Sequence, residues 1–375
     1  MSVYIFALLV LCLVGIKFSF KNGFEDYMSV QKTGSIKGIF VIIVFLSHIR
    51  QYVKLEKTAL NEPFTDFMLF LGQLMVVAFL FYSGYGVALS LEKKPRYALT
   101  IPKRRIFSVW YHFAFAIVIF FVVSHLLGTK YDFVRLLKSF VGLSAVGNSV
   151  WFIFTILMLY ALTFLVFVFA KDKIVVPTAV FTVLAFALMV GLRILKGKEY
   201  WWYDTLMCYP LGMWYYIAKP TIDKYLLKDF SKWFSAAAIT VTVFGYLAYL
   251  LPIYHKMRKI FIPEALVFAL VIALVSMRVS VDNKVLRWFG KRVFSVYILQ
   301  RIPMMVFSKF NLNSKPVLFT LVCLVSTVII AELFDRLLDR CDILLRIKKA
   351  PQKAPKVSKT KSAQTAPEAP ENQGG

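Results

Sequence analysis

Lys37 and His48 are the residues whose types and spacing point most directly to chemistry. They lie eleven positions apart in an almost unbroken apolar run. At about 100° per residue this spacing places both on one helix face, about 16 Å apart along the axis. The run predicts Lys37 at one rim of a membrane span and His48 about halfway across, where a neutral imidazole can transfer protons. The alternative is a histidine that only hydrogen-bonds a neighbouring helix, beside a snorkelling lysine.

A second candidate region lies at the end of the next apolar run, where Ser83, Gly84 and Tyr85 follow one another. Glycines and a serine within one helical turn allow a ligand or another helix to approach the backbone closely. The pattern therefore favours either a wall of a binding pocket or tight helix packing, and the residues alone do not separate the two.

Further polar residues lie at the ends of apolar runs or within them. Lys103, Arg104 and Arg105 form a cluster that can clamp phosphates, although loops on the inner side of a membrane are basic in general. Gln300 and Arg301 interrupt a later run and need a polar cavity. Three acids are candidate partners for His48, with pairing between helices as the simpler explanation: Asp204, Glu264 and Glu332.

The elements that position these residues are predicted from composition. The 375 residues are 59% hydrophobic, with 36 Phe, 19 Tyr and a mean hydropathy of +0.69. Only 17% are charged, against about 25% in soluble domains. The composition predicts an all-α, polytopic membrane protein and leaves no room for a separate soluble catalytic domain. About eleven transmembrane helices are expected, roughly at residues 3–19, 36–53, 67–90, 107–127, 150–170, 174–194, 200–217, 233–252, 261–277, 293–308 and 316–335.

The distribution of Lys and Arg predicts the orientation. With the N-terminus outside and the C-terminus inside, the inner segments hold 30 of the 45 cations and the outer segments hold 14. Such a bias is typical of cytoplasmic loops, so an odd number of spans with N-out and C-in topology is expected. Because the net charge of +25 falls between apolar runs, we expect it to face the lipid bilayer, and no nucleic acid is predicted as a partner.

Three parts of the chain are predicted. Residues 1–31 form an N-terminal transmembrane helix with a linker, which we interpret as retained because no basic region precedes it. Residues 32–346 form the main membrane domain. Residues 347–375, rich in Lys, Pro, Ala, Gln and Ser, are expected to be a disordered, basic cytoplasmic tail. The four cysteines show no CxxC spacing and no metal site is predicted.

Over about residues 32–339 the chain resembles the membrane-bound acyltransferase family 3, whose members acylate sugars and other acceptors. Lys37 and His48 match the family's Arg-x10-His pair, with lysine in place of arginine. Arg105 matches the first arginine of its Arg-x-x-Arg loop, and Ser108 replaces the second. Four further segments match in the family's order: Phe79-Leu-Phe-Tyr-Ser83-Gly84-Tyr85, Trp151-Phe152, Tyr209-Pro-Leu-Gly-Met213 and Gly290-Lys-Arg-Val-Phe-Ser295-Val-Tyr297-Ile-Leu-Gln300, in which Gln300 replaces a histidine.

The resemblance implies a ten-helix acyltransferase core in the plasma membrane, to which this chain adds one N-terminal helix. It implies acyl-CoA, with acetyl-CoA as the default, as a cytoplasmic co-substrate, no bound cofactor, and an extracytoplasmic glycan or lipid-linked sugar as the acceptor. His48 would act as general base, or would carry the acyl group as a transient acyl-histidine. Lys37, the other residue of the catalytic pair, would hold the phosphates or the pantetheine end of the donor near the inner rim, together with Arg104 and Arg105. Donor-binding residues would be Lys103, Arg104 and Arg105. Pocket residues would be Ser83, with a hydrogen bond to the thioester carbonyl, and Gly84, Tyr85, Trp151, Tyr297, Gln300 and Arg301.

Two other classes of membrane protein remain as alternatives. A transporter or flippase for a charged lipid or sugar would suit the many spans and the buried cations, but the sequence shows no inverted repeat. A membrane glycosyltransferase would normally need paired acidic metal ligands, and the sequence contains no Asp-x-Asp motif. The release of free CoA from acetyl-CoA separates an acyltransferase from both.

Overall fold

The computed structural model describes residues 1–170, 174–253 and 260–347, and most of these residues are helical. The tail predicted to be disordered lies outside the described residues from residue 348 onward. The helices are α1 (Ser2–Leu13), α2 (Val30–Ile49), α3 (Glu62–Leu71), α4 (Val77–Lys93), α5 (Ser108–Leu126), α6 (Phe133–Phe140), α7 (Trp151–Phe167), α8 (Val175–Lys196), α9 (Cys208–Leu226), α10 (Phe230–Ile253), α11 (Phe261–Arg278), α12 (Lys284–Lys291), α13 (Val293–Leu299), α14 (Arg301–Lys309) and α15 (Pro316–Leu344).

Long apolar helices make up much of the bundle. Within the described ranges, seven helical segments are long and apolar enough to cross a membrane, and α1 and α7 are shorter apolar helices. The expectation of a helical, multi-pass membrane protein is therefore confirmed. The count of eleven spans and the N-out, C-in orientation remain predictions.

Three predicted spans are interrupted in the structure. The first is helical only to Leu13, because Gly15, with φ +82°, turns the chain out of α1. The third breaks at Gly72, with φ +46°, between α3 and α4. The tenth breaks at Gln300, between α13 and α14. Averaged hydropathy does not register these breaks, since the residues on both sides of each break remain largely apolar.

A small sheet closes one end of the bundle and departs from the all-α prediction. Strand β1 (Ile16–Phe18) pairs antiparallel with β2 (Val279–Val281). Beside it, the fully buried Arg278 donates to the backbone carbonyls of Leu227 at 2.8 Å and Phe20 at 3.2 Å. We call this the basic end of the bundle, formed by residues 17–29, 94–106, 219–229 and 278–292, all of which the charge distribution predicts to be cytoplasmic.

The opposite end of the bundle consists of the segments predicted to be extracytoplasmic. The Met1 amino group donates to Asn61 Oδ1 at 2.7 Å, and Asn313 Nδ2 donates to the Tyr52 carbonyl at 2.9 Å. At the basic end, the Gly23 amide likewise donates to the Leu227 carbonyl at 2.7 Å. Each of these three contacts joins segments predicted to lie on the same side.

Glycines set the closest helix contacts. A Cβ atom on Gly38 of α2 would lie 2.0 Å from the Leu286 carbonyl oxygen of α12, and one on Gly84 of α4 would lie 1.9 Å from the Tyr209 carbonyl oxygen of α9. No other residue type allows such an approach of backbones. The two pairs, α2 with α12 and α4 with α9, form the central scaffold around which the site is built.

Candidate active site

A cavity of about 490 Å³ lies between α2, α4, α7 and α13. Along α4 it extends from Leu89, near the basic end, to Phe79, in the first turn of the helix. These ten positions correspond to about 15 Å along the axis. The cavity therefore runs from the basic end of the bundle through most of its depth.

Two cations face this cavity, Lys37 from α2 and Arg105 from the helical turn before α5. None of its described lining residues is an aspartate or glutamate. Arg105 Nε donates to the Tyr97 hydroxyl at 3.0 Å, and its guanidinium lies 5.8 Å from the centroid of the Tyr160 ring. Two positive charges facing one cavity whose walls lack a carboxylate favour an anionic occupant.

The backbone around Arg105 explains why only one cation of its cluster reaches the cavity. Residues Pro102–Phe107 form a π-helix, which widens the turn just before α5. Lys103 and Arg104 are exposed and do not line the cavity, whereas Arg105 is half-buried and lines it. π-Helical turns are frequent at functional sites because they re-aim single side chains in this way.

Polar and aromatic groups line the middle of the cavity. Ser83 Oγ and the Tyr160 hydroxyl lie 2.9 Å apart and share a hydrogen bond between α4 and α7. Tyr85, two positions closer to the basic end along α4, also lines the cavity. The arrangement connects Ser83 to Arg105 through Tyr160, so these three residues form one polar stretch in an otherwise apolar channel.

An aromatic layer closes the deep end of the cavity. The ring of Phe152 lies 6.1 Å from that of Phe79 and 5.4 Å from that of Tyr297, and all three line the cavity. His48 lies beyond this layer, with its ring centroid 6.3 Å from that of Tyr297. The structure thus places His48 next to the deep end of the cavity, with one aromatic ring between them.

The surroundings of His48 come from three separate segments. Ser149 Oγ lies 3.4 Å from His48 Nε2. Gln300, fully buried at the break between α13 and α14, donates to the Tyr297 carbonyl at 2.9 Å and lies beside His48, as does Arg301. The Arg301 guanidinium also donates to the side chain of Gln51. The helix break therefore brings an amide and a guanidinium to the imidazole.

The depth expected for the Lys37–His48 pair is wrong. Helix α2 begins at Val30, not at about residue 36, because the Ser29 hydroxyl caps it by accepting from the Lys32 amide. Lys37 consequently lies about two turns inside the helix, and His48 lies in its last turn. The imidazole is therefore closer to the end of its helix than the sequence predicts.

Two further residues predicted for the pocket lie outside the cavity. Gly84 packs against the backbone of Tyr209, so its role in the structure is the close contact of α4 and α9. Trp151 starts α7 but does not line the cavity, whereas its neighbour Phe152 does. Among the candidate partners of His48, Glu332 binds Arg292 of the α12–α13 corner at 2.6 Å, as expected for pairing between helices.

The sequence interpretation missed several lining residues. Tyr160, Tyr82 and Thr33 line the cavity, and Ser149 lies next to His48. Tyr160 and Phe152 are eight positions apart in α7, a spacing that places them on one helix face. That spacing is the only local signal for Tyr160, because an apolar helix offers many equivalent aromatic positions.

Fold and site together define a helical membrane protein whose cation-lined cavity leads to a histidine. A family model described as an acyltransferase domain, that of acyltransferase family 3, matches residues 35–336, and the chain belongs to this family. The protein is therefore a membrane enzyme that transfers acyl groups. Neither the comparison with curated proteins nor the comparison with solved structures gives a match.

Proposed function

We propose that this acyltransferase moves an acyl group, acetyl by default, from cytoplasmic acyl-CoA to a hydroxyl of an extracytoplasmic glycan or lipid-linked sugar at the plasma membrane. One observation carries the proposal. The cavity that begins at the basic end and contains Lys37 and Arg105 ends next to His48. A donor and an acceptor that enter from opposite ends of the bundle would meet there.

The dimensions of the cavity suit the pantetheine arm of CoA. That arm is about 15–20 Å long when extended, and the cavity follows α4 for about 15 Å. Its walls are mostly apolar, and Lys37 and Arg105 are the charged groups among its described lining residues. With phosphates held near the basic end, the thioester would lie at the aromatic layer. Lys103 and Arg104, exposed at the same end, would add to the electrostatic attraction for the donor.

His48 acts as the general base in the proposed reaction. It takes the proton of the acceptor hydroxyl while the hydroxyl oxygen attacks the thioester carbonyl carbon. The new C–O bond forms, the C–S bond breaks, and the proton passes from His48 to the departing CoA thiolate. Ser149 Oγ, 3.4 Å from His48 Nε2, would help to orient the imidazole, and Gln300 lies beside the ring. An acyl-histidine formed by direct attack of His48 on the thioester is the competing mechanism.

Rotation of the Tyr297 ring would join the cavity to His48. Tyr297 separates the two in the structure, and its hydroxyl is buried beside Ser149. In that position the hydroxyl is also placed to donate to the developing oxyanion, a role that Ser83, already bound to Tyr160, fits less well. A single tyrosine would thus both cover the thioester and stabilise its reaction.

The test is an assay of CoA release by the purified full chain with acetyl-CoA, followed by a thiol-reactive dye. We expect release above the protein-free rate, further stimulated by a hydroxyl-bearing glycan, with acetate ester detected on that glycan by mass spectrometry. Folded protein that releases no CoA, yet carries a labelled sugar across proteoliposomes, would establish the transporter alternative and overturn the proposal.

A further inference from the structure

A second cavity, of about 440 Å³, lies at the basic end, where the turn after α4 meets the end of α7. Its polar lining is formed by Glu92, Lys93, Lys94 and Arg96 and by the ring of Tyr97. The carboxylate of Glu92 accepts from the Tyr216 hydroxyl, so the one acid among the described lining residues is already engaged. Three cations and one carboxylate leave the described lining with a net charge of +2, which favours an anionic ligand.

This second cavity continues the first one. Tyr97 lines the second cavity, and its hydroxyl accepts from Arg105 Nε, which lines the first. Both cavities also share a wall on α7, because Tyr160 of the first and Phe167 of the second are seven positions, or about two turns, apart on one face. A ligand that fills the first cavity from its deep end would therefore emerge beside Lys93, Lys94 and Arg96.

We propose that the second cavity binds the phosphorylated nucleotide end of the donor, with Lys93, Lys94 and Arg96 contacting its phosphate groups. This inference rests on the proposed function and adds a binding site outside the matched sequence motifs. The 3′-phosphate and diphosphate of CoA carry several negative charges, and Lys and Arg are the side chains suited to them. The apolar wall of Phe167, Ala170 and Ile174 offers a surface for the adenine ring.

The division of labour between the cavities follows from their linings. The first has mostly apolar walls apart from Lys37 and Arg105, and it suits a thioester arm whose anionic end lies at these two cations. The second has a larger share of polar and charged groups and is lined by exposed side chains at the bundle surface. Arg105 and Tyr97 lie at the junction, where the diphosphate joins the arm.

The test compares two triple variants of the full chain in calorimetric titrations with CoA and with 3′-dephospho-CoA. The site variant carries Lys93→Gln, Lys94→Gln and Arg96→Gln. The control variant carries Lys228→Gln, Lys284→Gln and Lys291→Gln, three exposed cations that line neither of these two cavities. Both lose the same charge, so any non-specific electrostatic attraction falls equally in both.

We expect the site variant to bind CoA at least tenfold more weakly than wild type, since its charge-assisted contacts with the phosphate groups are lost. The control variant should stay within about twofold of wild type, a change of less than 0.5 kcal/mol. Removing the 3′-phosphate should weaken binding to wild type and have less effect on the site variant.

Three results would overturn the inference. Equal losses in both variants would mean general attraction and no site. Unchanged CoA affinity in the site variant, combined with the loss of its thermal stabilisation by phosphatidylglycerol, would assign the cations to a lipid headgroup. Wild-type protein that binds no CoA at all would overturn the proposed donor itself, so failure of the function and failure of this site are distinguishable.

Discussion

Helices α2 and α10 are equally apolar on average, yet they occupy opposite kinds of position. In the most apolar stretch of α2, 72% of the residues are buried inside the protein, whereas in that of α10 only 6% are buried. Both contain glycine, but a Cβ atom on Gly38 of α2 would meet the α12 backbone at 2.0 Å, and one on Gly245 of α10 would meet nothing within 4 Å. Hydropathy therefore identifies a membrane helix, and only its contacts decide whether it is central.

The two helices also differ in function, since α2 carries residues of the candidate site and α10 carries none of those described. Helix α2 carries Lys37 and His48, both at the candidate site, and between them runs a stretch that is buried on nearly every side. Helix α10 carries large exposed hydrophobic residues such as Ile239 and Tyr246. Because lipid tails are as apolar as these side chains, their exposure costs little in a membrane. Substitutions in the two helices should consequently have very different effects.

The largest effect is expected at His48. His48→Gln keeps the size and a hydrogen bond but cannot take a proton at neutral pH, so the rate of acyl transfer should fall about 10²–10⁴-fold. His48→Ala should be as inactive. The measurement is CoA release by protein that elutes as a single peak and melts like wild type. Transfer within about tenfold of wild type by folded His48→Gln protein would remove the catalytic assignment.

The next largest effect is expected at the glycine contacts. Gly38→Ala should destabilise the protein by at least about 3 kcal/mol or prevent folding, because the new methyl group meets backbone and neither helix can move without disturbing the bundle. Gly245→Ala should be neutral or stabilising by up to about 1 kcal/mol, through helix propensity alone. Thermal melts of the two detergent-purified variants provide the measurement, and equal melting temperatures would contradict the packing argument.

A third prediction concerns the charge on Lys37. Lys37→Met should raise the KM for acetyl-CoA about tenfold or more while leaving the KM of the acceptor unchanged, because a charged hydrogen bond to the donor is lost. Lys37→Arg should keep most of the affinity, since arginine retains the charge. Steady-state kinetics with varied donor separates the two constants. An unchanged donor KM in Lys37→Met would place the anionic ligand elsewhere.

The smallest effects are expected when the same substitution, valine to alanine, is made in the buried helix α2 and in the exposed helix α10. Val41 of α2 is fully buried, whereas Val241 of α10 is 48% exposed. Val41→Ala should cost about 1–2 kcal/mol through lost packing. Val241→Ala should change stability by less than about 0.5 kcal/mol. The measurement is the melting temperature of each variant. A larger decrease for Val241→Ala than for Val41→Ala would contradict the assignment of α2 as the buried helix and α10 as the exposed one.

Much of the architecture was predictable from the sequence, because a membrane requires long apolar helices and the acyltransferase motifs are local. Helix ends were less predictable. The start of α2 depends on the Ser29 cap and continues through polar residues such as Lys32, which an average over apolar residues excludes. The depth of His48 was misplaced for this reason. A search for capping residues ahead of each apolar run would have found Ser29.

The parts of the site that depend on contacts between distant segments could not be predicted. From the sequence, Gly84 fits a pocket wall and a helix-packing position equally well. Its contact with the backbone of Tyr209, 125 positions later in the chain, identifies it as a packing residue. The Tyr97 hydroxyl that accepts from Arg105, and the Tyr160 ring near its guanidinium, likewise come from segments outside the Lys103–Arg105 cluster. Contacts between distant segments determine these roles, and such contacts produce no local pattern in a single sequence.

The hydrogen bonds between α1 and distant segments determine when this helix can complete its packing during synthesis. Helix α1 binds partners that are translated after it: the Leu60 carbonyl accepts from Ser2, Asn283 donates to the Leu11 carbonyl, and Tyr4 donates to the Val317 carbonyl. These partners are separated from their α1 residues by 58, 272 and 313 positions. One face of α1 must therefore remain without these partners until α15 has been translated. The docking of α1 is the event that joins it to α15.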